Sequence, residues 1–538
     1  MADGLELGDV YGATIERIKA QDGDKSKLGM AALMWISYAE RPLRADELCH
    51  ALAVRLSTTN FNTSNVPSMS ALIGCCQGLI TVDKEASTVR LIHFTLQEYL
   101  FAHPDIFSRP HSVIAEICLT YLNSQQVKAL STDPSPGIQN TPFLEYCSVH
   151  WGAHAKKDLS EGARSLGLEL LEGHYNQIST RLLLSQVKRL NFFVKQLATL
   201  SPFSGLHCAS FFGIVEIVAG LIEMGCYDIN EGDFSGRTPL AWAAHNGHEE
   251  VVKILLGREE VSPDKPCLEG LTPLSYAAWN GHEGVVEMLL RREEVNPNKP
   301  GNYGMTPLSY AAWNRHEGVV KMLLGREGVD PNKPNNDGGT PLSYAALGGH
   351  EGVVKILLGR KEVNPDKPDN NGRTPLTDAV MSGHEGAVKI LLGRKEVNPD
   401  KPDNHGLTPL AIAAVYGHEG VVKILLGREE VSPNKPNNYG QTPLSKAARY
   451  GREGVVKILL RRDEVSPDKP DNNGQTPLFL AASFGYEGVV KILLGQEGVI
   501  HDRPDNDGRT PLSLAAGSGH KEVVALLQSR EVVIPCTD

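Results

Sequence analysis

The chain has 538 residues, 41% of them hydrophobic and 22% charged, a soluble and foldable composition spread over more length than one hydrophobic core absorbs, so two or more domains are expected. Its 53 basic and 64 acidic residues leave a formal net charge of −11, the wrong sign for a protein that coats phosphate backbones, and nucleic acid is set aside as a main partner. Nine cysteines without regular spacing or a Cys-x-x-Cys pair form neither a disulfide framework nor a zinc signature, and the apolar run 28–39 is too short to span a bilayer; a cytoplasmic or nuclear protein with no membrane partner is expected.

In chain order, residues 28–40 and 44–55 carry apolar side chains at helical spacing, and 66–77 predicts a third helix. Residues 78–82 and 88–92 alternate apolar and polar around the turn 83–87, as two short strands do, and another helix follows towards Phe101. Helices, a hairpin and a closing helix make a winged-helix order, so 1–104 is assigned to a winged-helix-like module and 105–203 to a helical connector. Winged helices often bind DNA, yet no Lys or Arg occurs between Arg55 and Lys84, which leaves the would-be recognition helix nothing to grip phosphates or guanines. The adjacent Cys75 and Cys76 lie in an apolar run and read as buried small hydrophobes.

The rest of the chain repeats. Thr-Pro-Leu recurs from Thr238, Thr272, Thr306, Thr340, Thr374, Thr408, Thr442, Thr476 and Thr510 in steps of 34 residues, and Ser204 opens a degenerate copy, Ser-Gly-Leu-His, one step upstream. In the unit 372–405, Thr374 caps a helix whose first position is Pro375, where the missing N–H is harmless. Leu376, Ala379, Val380 and Gly383 recur at helical spacing and predict a buried face of small residues. His384 and Glu385 open a second helix with Val388, Leu391 and Leu392 inward and Glu385 and Lys389 four apart on the surface. Gly393 and the proline-rich stretch 397–402 end it, and the turn Asn404-His405-Gly406 leads to the next threonine. A helix pair of this kind cannot bury its apolar face alone, so neighbours must stack: 204–538 predicts an α-solenoid of about ten repeats, and the whole chain a mainly α fold.

The Thr-Pro-Leu start, the Gly-His link and the Val-Val-x-x-Leu-Leu second helix closely resemble the ankyrin family across 204–538. The resemblance implies a protein-binding scaffold whose hairpin tips and first helices line a concave partner surface. Two departures bear on it. The family's His after Thr-Pro-Leu appears only as His207 and is replaced by Ser275, Ser309 and Ser343, which is expected to loosen hydrogen bonds between repeats; the period is 34 rather than 33, which lengthens the proline-rich loop. In front, residues 35–52, 90–100 and 143–155 are similar to the segment joining the NTPase to the ankyrin array in fungal NACHT-ankyrin receptors of the NOD-like type. That resemblance implies a regulatory hinge and a NACHT NTPase as partner. No G-x-x-x-x-G-K-[ST] occurs here to hold nucleotide phosphates, so the chain reads as a truncated receptor product or a free-standing adaptor.

Copies of one unit can be compared with each other. The second helix is nearly invariant, while variation gathers in the turns (Leu268-Glu269, Asn302-Tyr303, Asn370-Asn371, Asn438-Tyr439) and on the outward side of the first helix. The outward pairs are Trp242 and His245, Tyr276 and Trp279, Tyr310 and Trp313, Tyr344 and Leu347, Asp378 and Met381, Ile412 and Val415, Lys446 and Arg449, then Leu480 and Ser483. Variation therefore falls where the resemblance places recognition. Tyr276, Trp279, Tyr310, Trp313 and Tyr344 are expected to form an aromatic ladder that anchors a partner, with Trp242 and Tyr303 on the same surface; the alternative is that these rings pack between adjacent first helices. Lys446, Arg449, Tyr450 and Arg452 read as a basic patch for an acidic peptide, or as a solvated face.

Pairs such as His282-Glu283 and His350-Glu351 never continue to a second His four residues after the first, and neither G-x-S-x-G nor a dinucleotide loop occurs. No catalytic, cofactor or metal residue is assigned, and no enzymatic activity is expected. The expected function is protein binding, as the sensor arm of a NOD-like receptor system, with a cytosolic adaptor and then a transcriptional regulator as alternatives.

Overall fold

A computed structural model describes residues 7–56, 61–83, 85–130, 141–172 and 203–531. They belong to two compact units, 1–269 and 270–538.

In the first unit, α1 (Leu7–Lys19), α2 (Gly23–Tyr38), α3 (Ala45–Ala53) and α4 (Met69–Cys75) precede an antiparallel hairpin of β1 (Ile80–Asp83) and β2 (Thr88–Leu91), followed by α5 (Phe94–Ala102). The hairpin pairs Ile80 with Leu91 and Asp83 with Thr88, and Arg44 bridges to Thr88, so the stretch entering α3 lies along it. The central post is α2, whose fully buried Trp35 meets Phe143 at 5.5 Å and Tyr146 at 5.8 Å, both edge-on. Glu47 on α3 is also fully buried; the Arg41 guanidinium donates to its two oxygens at 2.8 and 2.7 Å, and the Arg44 N–H adds a third bond at 2.8 Å. A carboxylate survives burial only with its lone pairs met in this way. Cys75 and Cys76 are buried, and burial pushes the Cys76 thiol up to about 12, which keeps it a protonated packing group.

The connector supplies α6 (Pro110–Asn123), α7 (Gln125–Lys128), α8 (Leu144–Lys157) and α9 (Glu161–Glu172); its stretch 173–202 falls outside the described residues. Helices α8 and α9 pack against the first repeat pair, Gly205–Phe212 and Val215–Met224. The approach is close: a Cβ at Gly152 would lie 2.1 Å from the Phe212 ring, and one at Gly205 would lie 2.3 Å from the Leu171 carbonyl oxygen. The end of a repeat stack needs such a cover, because its outer face is as apolar as every internal one. A second pair, Pro239–His245 and Glu249–Leu256, completes this unit.

The second unit contains, among its described residues, eight further pairs, from Pro273–Asn280 with Glu283–Leu290 to Pro511–Gly517 with Lys521–Glu531. Local chemistry follows the sequence. Thr374 Oγ1 accepts the Thr377 N–H at 3.3 Å, Pro375 is the first helical residue, and Gly383 takes φ of 75° after the helix. Burial departs from it. An internal first helix of this unit is flanked by two neighbouring copies and backed by its own second helix, so a run such as Pro307, Leu308, Ser309, Tyr310, Ala311 and Ala312 is buried on three sides rather than along one stripe.

The copies are tied more firmly than the missing histidines suggest. His207 Nε2 lies 3.0 Å from the Glu231 carbonyl oxygen at the end of its own copy and 3.0 Å from the Arg237 carbonyl oxygen at the start of the next, whereas Ser309 Oγ turns to Thr306 Oγ1 at 3.1 Å. Other tethers take over in the second unit. The side-chain amides of Asn336, Asn370, Asn404, Asn438, Asn472 and Asn506 each donate to the carbonyl of the asparagine 34 residues earlier, at 2.8–3.2 Å. Lys333, Lys367, Lys401 and Lys435 donate to carbonyls 35 residues back at 2.8–2.9 Å. Glutamates close the second helices: Glu385 Oε1 occupies the space beside Gly420, 1.7 Å from where a Cβ would stand, and Glu283, Glu317, Glu351, Glu419 and Glu453 do the same beside Gly318, Gly352, Gly386, Gly454 and Gly488. This pairing accounts for the near-invariant Glu-Gly start of that helix.

Candidate protein-binding surface

A binding surface needs side chains that are exposed and yet held in place. Trp242 is fully buried, its indole N–H donating to Asp233 Oδ2 at 2.9 Å and the Arg237 guanidinium lying 4.7 Å over its ring. Tyr276 and Tyr310 are only 3% and 4% exposed. These three are corrected from contact residues to packing residues, because their rings are buried within the first-helix layer and do not reach its surface. The ladder itself exists, with a floor and an outer layer. Trp279, half-buried, stacks on Tyr310 at 4.8 Å and 17°, and Trp313 leans on Tyr344 at 4.8 Å and 40°. Each tyrosine thus supports the tryptophan of the preceding copy, and Trp313 is 49% exposed. Tyr344 is half-buried and accepts the Asn335 side-chain N–H at 2.6 Å.

The hairpin tips resolve the turn variation into two columns. The first, from Asn302 to Asn506, is constant because its amides form the tether. The second reads Tyr303, Asp337, Asn371, His405, Tyr439, Asn473 and Asp507, and is where chemistry changes. Tyr303 is 72% exposed, and Tyr439 is exposed too.

The supposed basic patch comes apart. Arg452 Nε donates to the Val415 carbonyl at 2.9 Å, the role that histidine plays in other copies, where His316, His350 and His418 reach Trp279, Trp313 and Met381 carbonyls at 2.9, 2.8 and 3.0 Å. Lys446 is half-buried, and burial and then Arg449 push its pKa down, against Asp471 and Asp403. Arg449 lies 5.3 Å over the Phe484 ring. Tyr450 is exposed as the middle of three rings, with Tyr416 and Phe484, at one position of successive copies. Of the three, the sequence reading marks only Tyr450. The signal was the column one residue past Trp313, which reads Asn280, Asn314, Gly348, Ser382, Tyr416, Tyr450, Phe484.

Between these two aromatic runs, Asp378 stands at the position of Tyr310 and Tyr344. Burial and then Asp369 push its carboxyl up to about 7, against the pull of Arg373 and a hydrogen bond from Ser343. Burial and then Asp337 and Asp378 push the Tyr344 hydroxyl up to about 12.

The family model described as ankyrin repeats (3 copies) matches residues 175–267, 206–300, 259–335, 318–403, 388–471 and 464–538, together more than half of the chain. The chain belongs to the ankyrin-repeat family. Ankyrin repeats make it a protein-interaction scaffold, and in front of them residues 16–118 match the winged helix domain of GPI inositol-deacylase. Probable protein S-acyltransferase 23 of Arabidopsis thaliana is 42% identical over 57 residues, 11% of this chain and 11% of that protein, so the chain spans about a tenth of that relative. The crystal structure of the human ASB11 ankyrin repeat domain is similar at 28% identity, over 41% of this chain and 98% of that one, with a TM-score of 0.38. Among the described residues, no helix is long and apolar enough to cross a membrane.

Proposed function

We propose that this ankyrin-repeat chain is a non-catalytic cytoplasmic scaffold whose protein partner docks on the first-helix ends and hairpin tips of the second unit, with Trp279, Trp313, Tyr303, Arg449 and Tyr450 as contact residues. The observation that carries the reading is Trp313: a large ring 49% exposed yet fixed against Tyr344. A side chain already held loses little freedom on binding, so its apolar area converts to affinity at low entropic cost.

The finer reading is a sensor arm of a NOD-like receptor system, in which residues 1–160 meet a NACHT NTPase. Its support is the winged-helix match at 16–118 ahead of the repeats and the front-segment resemblance described above. A free-standing adaptor differs in binding its client through the repeats alone. A transcriptional regulator would bind DNA with steep salt dependence, and the net charge of −11 and the absence of Lys and Arg from 56–83 speak against it.

The test is affinity capture with the full chain beside a Trp279→Ala/Trp313→Ala variant whose helicity is checked by circular dichroism. A partner held by the native chain and lost from the variant supports the surface, since truncating one true anchor costs about 2 kcal/mol or more. Identical captured sets would mean that the two rings are packing alone.

A further inference from the structure

We propose that Glu40, His111 and His154 form a binding site for one divalent transition-metal ion of the zinc class, clipping the end of α2 to α6 and α8. Glu40 lies just past α2, His111 in the first turn of α6 and His154 in the last turn of α8. Two imidazole nitrogens and a carboxylate oxygen from these residues all lie within 4.8 Å of one another. His111 Nδ1 and His154 Nδ1 face each other at 2.9 Å. Two nitrogens on one tetrahedral ion at about 2.0–2.1 Å stand about 3.3 Å apart, so a few tenths of an ångström open the site. Two imidazoles and one carboxylate suit zinc and its neighbours rather than calcium or magnesium, which take oxygen sets.

The surroundings are those of a ligand histidine. His154 is fully buried, and its other ring nitrogen, Nε2, lies 2.8 Å from the Tyr146 hydroxyl. That hydroxyl also accepts the Glu40 N–H at 3.1 Å, so one group fixes both the rotation of the imidazole and the backbone that carries the carboxylate, as an outer-shell partner does. Lys157 Nζ holds Glu40 Oε1 at 2.6 Å, and its side chain is 50% exposed; an ion would take over that oxygen while the lysine turns to solvent. The rival arrangement is a closed relay, with Tyr146 O–H donating to His154 Nε2 and His154 Nδ1–H to His111 Nδ1, and it holds no metal. Spacing along the chain hides such a site, because the three residues come from separate elements.

The experiment dialyses the untagged full chain against Zn2+ and, separately, Co2+, counts bound metal by mass spectrometry and records the Co2+ visible spectrum. One ion per chain is expected, with the bands of a four-coordinate nitrogen and oxygen site and no thiolate charge-transfer band. His111→Gln and Glu40→Gln, each at a partly exposed or exposed position and checked for unchanged helicity, should each bind at least about 10-fold more weakly. No stoichiometric ion on the native chain, unchanged affinity in either variant, or a thiolate band that assigns the ion to cysteines would overturn the proposal.

Discussion

Replacing Asp378 by Asn should remove a pH dependence from the stability of the second unit. The carboxyl is raised from its ordinary 3.8 to about 7, by burial first and Asp369 second. A raised acid favours the folded state in its protonated form, so its contribution is fully present below 3.8 and is lost as pH climbs through 7. The whole interval corresponds to about 4 kcal/mol. The side chain keeps some contact with solvent, and screening leaves roughly half, about 2 kcal/mol. Between pH 5 and 8 about two-thirds of the interval is crossed, so the native chain should lose about 1 kcal/mol more than Asp378→Asn over that range. Urea unfolding of both proteins at the two pH values and constant ionic strength, followed by tryptophan fluorescence, reads the difference directly. Histidines and other carboxylates titrate in both chains and cancel. Parallel pH profiles, or a variant less stable than the native chain at pH 8, would show that Asp378 is not a buried charge held against its preference.

Two further predictions concern joints between copies. Arg315 has φ of +64° where other copies have Gly281, Gly349, Gly383 and Gly417; Arg315→Gly should stabilise the chain by about 0.5–1 kcal/mol, and a lower melting temperature would mean that the arginine side chain contributes more than its backbone costs. Gly420→Ala places a methyl where Glu385 Oε1 now stands; that oxygen ends a flexible, half-exposed side chain that can swing aside, and the gain in helix propensity offsets the displaced contact, so thermal unfolding should show a change of less than about 1 kcal/mol, and a larger loss that vanishes in a Glu385→Ala background would show that the carboxylate cannot move.

The helix pairs are legible because their signals act within one copy. Thr374, Pro375 and Gly383 satisfy backbone demands a few residues away, and nothing distant is needed to interpret them. The hairpin before α5 is legible for the same reason, its alternation being local. Exposure on a seven-residue helix is another matter. Tyr310 and Trp313 sit three apart in the same pattern, yet neighbouring copies on both sides bury one and leave the other half in water. The asparagine column is present in the sequence but concealed by its variable neighbour, because the two positions of one turn have separate duties. The Arg41–Glu47 pair on α3 and the meeting of Glu40, His111 and His154 depend on tertiary placement, which no periodicity encodes.

Each tether in the second unit reaches back by a single copy: Asn404 to Asn370, Lys401 to Asp366, His418 to Met381. Excising or inserting one whole 34-residue copy therefore leaves every surviving donor opposite an equivalent acceptor, while a change of any other length misplaces all three at the seam. Copy number can drift in whole steps without a mechanical fault, and the tip residues can drift singly. The chain is a ruler whose length and whose markings are able to evolve independently.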